Sequence, residues 1–269
     1  MRNIYIEHTG RLELQQGAIL CGCIADGYDL SVNGLVITPR CDLGNGGKVS
    51  TVHYLPIVPI DEWAKRDLLY ICMSKTKKLL RQKLYKLLKE HKIAETVVDY
   101  LDETSVSSLL ASLNIKNKQD IIELYRDVKN LEDGNAIIGN KYVQGNISDE
   151  LSRLFKGEHN RYYLMEDWST PGKYDIIILR DVKRISFDIA KRFQVGFQGK
   201  NLDESMFEYN DLYHSSNNDM YKIVAVVNSP YIEHIIQSFS HNFCRIGVDD
   251  IENAEALDIL KKDIIGRVL

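Results

Sequence analysis

Four residues of the kinds that bind zinc lie close together near the start of the chain: Cys21, Cys23, Cys41 and His53. A structural zinc ion is usually held by four sulfur or nitrogen ligands, and three cysteines with one histidine form an allowed set. Cys21 and Cys23 are separated by one residue, and residues spaced in this way share a face of a regular strand, so both thiols can point towards one ion. The sequence therefore predicts a zinc site or, as the alternative, cysteines buried as small core residues.

A second candidate site is a polar loop after a short strand, formed by Thr38, Arg40 and Asp42. Hydroxyl, guanidinium and carboxylate groups in such a loop can contact a ligand or RNA. Because a neighbouring guanidinium favours the thiolate form of a cysteine, the loop also suits Cys41 as a nucleophile with His53 as its base. The alternative is a surface ion pair between Arg40 and Asp42, which stabilises a fold only slightly.

A third candidate site is the locally basic segment from residue 64 to residue 100. Its expected nucleic-acid contacts are Lys77, Lys78, Arg81 and Lys83. A basic helix can follow phosphate groups through charge alone, although the same pattern suits a solvated face whose lysine stems cover apolar surface. Tyr70 and Tyr85 lie among these charges, and aromatic rings are the groups on which unpaired bases stack. The whole chain has a net charge of −4, so any contact with nucleic acid must be local.

The elements that position these residues are predicted from hydrophobic spacing and turn signals. Strands are predicted at 17–24, 35–38 and 49–58, separated by turns at 26–27, 33–34 and 44–47. Leucines spaced about three and four residues apart predict a long helix from 64 to 100, followed by helices at 105–113 and 118–131. Residues 139–146 are predicted to form a loop or a short strand.

The remaining predicted elements are strands at 162–165, 174–179 and 223–227 and helices at 230–246 and 252–264. Together these elements predict an α+β protein in three parts. Residues 1–62 form a small β-barrel module, residues 63–134 a helical segment, and residues 135–269 a C-terminal domain of mixed α/β structure.

The N-terminal module resembles the small SH3-like barrel of the PemK/MazF toxins. The resemblance lies in a glycine-led strand at 17–20, a strand that runs into a polar loop at 35–40, and an apolar run with two prolines at 55–59. It implies an SH3-like barrel whose loop from Thr38 to Asp42 contacts RNA. Members of the family cleave RNA or bind a partner antitoxin, so the resemblance implies one of these activities.

The C-terminal run 229–250 resembles a pattern of uncharacterised bacterial proteins, some of which are associated with antiphage defence gene clusters. The two resemblances together predict a protein-binding or nucleic-acid-binding subunit of a bacterial antiphage defence or toxin-like system. A protein partner from the same system is expected, and nucleic acid is a further partner. Two alternatives stay open: an endoribonuclease similar to the PemK/MazF toxins, and a structural adaptor stabilised by zinc as its one cofactor.

Composition and missing motifs exclude several other classes of protein. With 44% hydrophobic and 27% charged residues, the chain is not expected to be disordered overall. Without a long apolar run or an apolar leader, it is expected to be cytoplasmic and to have no membrane partner. Five cysteines, an odd number, argue against a disulfide framework. The phosphate loop, the nucleophile elbow and the dinucleotide fingerprint are also absent from the sequence.

Overall fold

The computed structural model describes residues 5–6, 12–44, 48–134, 140–170, 172–214 and 220–243. The strands are β1 (Tyr5–Ile6), β2 (Ala18–Ala25), β3 (Tyr28–Val36), β4 (Thr51–Pro59), β5 (Tyr162–Glu166), β6 (Tyr174–Ile178), β7 (Lys183–Ser186), β8 (Phe197–Gln198), β9 (Met220–Tyr221) and β10 (Ile223–Val227). The helices are α1 (Arg40–Gly44), α2 (Ile60–Trp63), α3 (Leu69–Glu90), α4 (Val97–Tyr100), α5 (Glu103–Ser112), α6 (Lys118–Glu132), α7 (Lys141–Phe155), α8 (Phe187–Arg192), α9 (Glu204–Tyr209) and α10 (Tyr231–Phe243). A π-helical turn, Ala64–Leu68, joins α2 to α3, and a 3-10 turn, Gly199–Asn201, follows β8.

One antiparallel sheet, curled into a half-barrel, organises the fold. In the described residues its strand order is β1, β10, β2, β3, β4, β6, β5, and β7 pairs with the first half of β4. The prediction of a fold that mixes helices and strands is confirmed. Strands from the predicted module 1–62 pair with strands from the predicted domain 135–269, because β2 pairs with β10 and β4 pairs with β6 and β7. These two parts of the chain therefore share one sheet.

Both faces of this sheet are covered, which explains the nearly continuous apolar run in β4. Val52 and Tyr54 point into a core that also holds the start of α3, whereas Leu55 and Ile57 point into a second core against α10. Successive side chains of a strand point to opposite faces, so a strand buried on both sides is apolar throughout. The turn predicted at 33–34 is wrong, because both residues lie inside β3 and pair with Ile57 and Pro56.

Helix α3 extends from the sheet into a separate helical core. Cys72 packs in the sheet core, whereas the apolar face further along α3, represented by Leu84, packs against α5 and α6. The predicted helix from 64 to 100 is too long, because α3 ends at Glu90. Lys92 adopts a left-handed conformation, with φ of 59°, and the amide of Ile93 donates to the carbonyl of Leu88. This is the Schellman arrangement that ends helices, with lysine where glycine is usual.

Helix α7 was not predicted, since residues 139–146 were expected to form a loop or a short strand. Asn140 begins the helix by accepting a hydrogen bond from the amide of Tyr142 at 2.9 Å. The buried face of α7 contains Val143 and Leu154, but Glu150 lies between them. A charged residue on the buried face interrupts the apolar period from which a helix is predicted.

Two further predictions concern the end of the chain and the membrane. The helix predicted at 230–246 is found as α10, and its last three predicted residues lie outside the described residues. The helix predicted at 252–264 lies wholly outside the described residues. Among the helices that the structure describes, none is long and apolar enough to cross a bilayer.

Candidate nucleic-acid interface

A cleft of about 510 Å³ lies where the first turns of α3 face the end of α7 and the segment that enters β5. Its lining includes Tyr70, Ser74 and Lys75 from α3, Glu150 and Arg153 from α7, and His159, Arg161 and Arg180 from the segments around β5 and β6. The cleft therefore collects residues from three distant parts of the sequence.

A buried carboxylate holds two of the cations of the cleft in place. The Glu150 side chain is only 3% exposed, and its Oε1 accepts hydrogen bonds from Lys75 Nζ and, at 3.1 Å, from Arg153 Nη1. The Lys75 and Arg153 side chains are 45% and 44% exposed, so each cation reaches solvent at the mouth of the cleft. Burial raises the pKa of Glu150, but the hydrogen bond from Lys75 and the neighbouring positive charges outweigh it, and the net pKa lies below its ordinary value.

His159 closes the network from the other side and is held in one tautomer. Its Nε2 lies 3.0 Å from Glu150 Oε2, and its Nδ1 lies 3.2 Å from the backbone nitrogen of Arg161. The amide of Arg161 can only donate, so Nδ1 is the acceptor and the proton of the neutral ring is on Nε2, which donates to Glu150. Burial lowers the pKa of His159, and the attraction of Glu150 only partly offsets that effect.

The charge of the cleft is strongly positive. Among the described residues that line it, the cations are Lys75, Arg153, Arg161 and Arg180, and the carboxylate is Glu150. Arg161 and Arg180 are exposed, and Arg180 Nε donates to Asn242 Oδ1 at 3.3 Å, which orients its guanidinium. Such a concentration of positive charge in a chain of net charge −4 is a local feature suited to anions.

The buried neutral state of His159 predicts a dependence of stability on pH. In the unfolded chain the histidine binds a proton near pH 6.5, whereas in the folded protein it does so only at lower pH. Between these two pKa values of His159 the unfolded state holds more protons at this residue, so the contribution of His159 to the free energy of unfolding falls as the pH is lowered through this window. The expected loss is about 1.4 kcal/mol for each unit between the two pKa values.

Urea denaturation at pH 7.5 and at pH 5.5 checks this prediction, with the values chosen about one unit on either side of 6.5. The variant His159→Gln retains a donor for Glu150 but does not titrate, so it is expected to lose less stability between the two pH values than the wild type. An equal loss in both proteins would contradict a buried neutral His159.

The candidate basic residues predicted on α3 fall into different environments. Arg81 forms ion pairs with Asp99 and Glu132, which hold the helical core together. The Lys83 ammonium lies 4.1 Å from the centre of the Tyr142 ring. Lys77 is half-buried and Lys78 is exposed. Lys75, which was not among the predicted contacts, is the α3 cation that reaches the cleft.

The predicted metal ligands lie in different settings. Gly22 has φ of 87°, and the register between β2 and β3 shifts there. Cys23 therefore points into the core, whereas the sulfur of Cys21 accepts a hydrogen bond from the amide of Lys222 at 3.2 Å. Cys41 is exposed on α1, and His53 is exposed on β4. Over the described ranges there is no group of three or more His, Cys, Asp or Glu that could hold a metal ion, so zinc gains no geometric support.

The predicted ligand loop is partly turned inwards. Thr38 is buried, and its Oγ1 accepts a hydrogen bond from the amide of His53 at 2.7 Å. Arg40 begins the short helix α1, and Asp42 lies in its first turn with Oδ1 3.5 Å from the Cys41 sulfur. The contact of Thr38 ties the loop to β4, and the role of the loop in binding RNA stays a prediction.

Comparisons of the chain with protein-family models, with curated proteins and with solved structures gave no match. The function is therefore inferred from the chemistry of the cleft.

Proposed function

We propose that this protein binds nucleic acid, with the cleft between α3, α7 and β5 as its phosphate-binding site. The observation that carries the proposal is the group of four cations that line this cleft, two of which, Lys75 and Arg153, are held by the buried carboxylate of Glu150. A buried acid that orients Lys75 and Arg153 reduces the entropy those side chains lose when they contact a ligand. Arg161 and Arg180 add guanidinium groups, which bind phosphate in a bidentate manner.

The shape of the cleft favours a polymer over a small phosphorylated molecule. The cleft reaches the protein surface at α3, because its lining residue Tyr70 is 75% exposed. An exposed aromatic ring next to several cations is the combination that binds the bases and phosphates of nucleic acids.

The same geometry favours binding over cleavage. A general base needs a basic atom within reach of the proton that it removes. Both ring nitrogens of His159 are engaged by Glu150 and by the amide of Arg161, and both oxygens of Glu150 accept hydrogen bonds. These two residues are therefore better suited to holding the cations than to transferring protons.

We also propose, from the resemblances alone, a setting for this activity. Residues 1–62 would follow the SH3-like layout of the PemK/MazF toxins, and the protein would act in the cytoplasm with a protein partner, as a subunit of a bacterial antiphage defence or toxin-like system. The consecutive antiparallel pairing of β2, β3 and β4 supports the first part, because small barrels are built from such strands.

The double variant Arg161→Ala with Arg180→Ala tests the proposed site. Removing two phosphate contacts is expected to weaken binding of a fluorescein-labelled RNA oligonucleotide by about tenfold or more in low salt. The slope of log K against log salt concentration is expected to become shallower by about 1.4, at about 0.7 for each contact with a single strand. Fluorescence anisotropy over a series of salt concentrations measures both quantities.

The matched control is Arg192→Ala with Lys200→Ala, which removes two exposed cations that do not line the cleft. Its affinity and salt slope are expected to equal those of the wild type. Equal binding by the two double variants, or a wild type that does not bind the oligonucleotide, would refute the proposed site.

A further inference from the structure

One exposed ridge runs along α3 and begins inside the cleft. Residues four apart on a helix lie above one another and form a ridge. The α3 ridge consists of exposed residues: Tyr70, Ser74, Lys78, Gln82 and Lys86. At about 1.5 Å per residue the ridge is about 24 Å long. The next position, Glu90, is the last residue of α3, so negative charge enters the ridge only where the helix ends.

The chemistry of the α3 ridge matches that of the cleft. An aromatic ring, a hydroxyl, an amide and two ammonium groups are the side-chain types that contact bases and phosphates. Tyr70 and Ser74 belong to both the ridge and the cleft lining, so the ridge continues the positive surface that contains Arg161 and Arg180. The two surfaces therefore offer one continuous path to a chain of phosphates.

Other basic residues of α3 point away from this path. Arg81 is paired with Asp99 and Glu132, and Lys83 lies over the ring of Tyr142. Arg81 and Lys83 thus contact the helical part of the protein, whereas Lys78 and Lys86 on the ridge face solvent.

We infer that the ligand is a single strand, with one base stacked on Tyr70 and its backbone following the α3 ridge past Lys78 and Lys86. This inference rests on the proposed nucleic-acid binding. The Tyr70 ring, 75% exposed, offers its face to a base that has left the stack. In a duplex the bases are stacked on one another, so a protein that binds through such a ring prefers single strands.

The experiment compares fluorescein-labelled oligouridylates of about 6 and about 18 nucleotides with a duplex of about 18 base pairs. The wild type is expected to bind the longer strand more tightly than the shorter one, and the duplex more weakly than either. Tyr70→Ala is expected to lower the affinity for both strands by about tenfold, and Tyr70→Phe to restore it, because the ring rather than the hydroxyl stacks.

The double variant Lys78→Ala with Lys86→Ala separates the ridge from the cleft. It is expected to lower affinity for the longer strand by about fivefold and to flatten its salt slope by about 1.4, with a smaller effect on the shorter strand, which covers less of the ridge. The control Lys116→Ala with Lys118→Ala removes two exposed lysines that lie off α3 and is expected to change neither strand.

The possible outcomes distinguish the proposed phosphate site in the cleft from the inferred path of a single strand along α3. If the wild type binds strands through Arg161 and Arg180 but Tyr70→Ala or the Lys78 and Lys86 double variant binds normally, the path along α3 is wrong and the phosphate site stands. If the duplex binds as tightly as the longer strand, the preference for single strands is wrong. If no oligonucleotide binds, the proposed function fails and the path fails with it.

Discussion

The variant Gly22→Ala is expected to unfold with a free energy lower by about 3 kcal/mol than the wild type. Gly22 lies in β2 with φ of 87°, a conformation that L side chains rarely adopt, and a Cβ there would overlap the ring of Tyr221. That ring is buried, stacks on Phe197 at 5.0 Å between centroids, and meets Phe193 edge-on at 6.2 Å. Neither the backbone nor the ring can move without breaking this cluster. The backbone strain and the overlap with the ring therefore both destabilise the variant.

Urea denaturation followed by circular dichroism measures the effect of this substitution. The control is Gly145→Ala in α7, where an added Cβ meets nothing within 4 Å. Alanine there is expected to raise the free energy of unfolding by about 0.5 to 1 kcal/mol, because glycine disfavours the helix interior. A Gly22→Ala protein as stable as the wild type would show that β2 does not bulge at Gly22.

The second large effect is expected from Glu150→Gln, which should destabilise the fold by about 2 to 3 kcal/mol. Three donors converge on the Glu150 carboxylate, from Lys75, Arg153 and His159. Glutamine offers one acceptor oxygen, so its amide nitrogen must face either the two cations or the Nε2 proton of His159. The loss is smaller than for a fully buried pair, because Lys75 and Arg153 are 45% and 44% exposed and water solvates them.

The matched substitution is Glu158→Gln, which makes the same chemical change at an exposed carboxylate just beyond α7. It is expected to change the free energy of unfolding by less than about 0.5 kcal/mol. The two variants are compared by urea denaturation at pH 7, where the Glu150 carboxylate is charged. Equal midpoints for Glu150→Gln and the wild type would mean that the carboxylate does not hold the cations.

Glu150 links the stability of the fold to the proposed site. Nonpolar residues at buried positions usually stabilise a fold as well as an ion pair does. A charged residue on the buried face of α7 is therefore costly for stability. Its three partners, Lys75, Arg153 and His159, all line the cleft, so the same carboxylate that costs stability positions the residues of the proposed site. A charged residue on the buried face of a helix is a departure from the usual hydrophobic pattern, and such departures are expected at functional sites.

The sequence alone determined those helices and strands whose hydrophobic pattern is regular within the element itself. Strands β2, β4, β6 and β10 carry dense apolar and β-branched residues, and helices α5, α6 and α10 carry regular apolar spacing, so their positions were predicted to within a few residues. The end of α3 was missed because Lys92 takes a conformation that is usually assigned to glycine. Helix α7 was missed because Glu150 breaks its apolar face.

Only the tertiary structure decided which residues meet. Cys21 and Cys23 look like neighbours on one face, but the bulge at Gly22 changes the alternation of the strand and sends them to different surroundings. The cleft shows the opposite case, because Lys75, Glu150 and Arg180 are far apart in the chain and carry no common motif. They come together because α7 packs on α3 and β5, and β6 follows β5 in the sheet. Sequence spacing determines the face of a residue within its own element, whereas the packing of elements determines its neighbours.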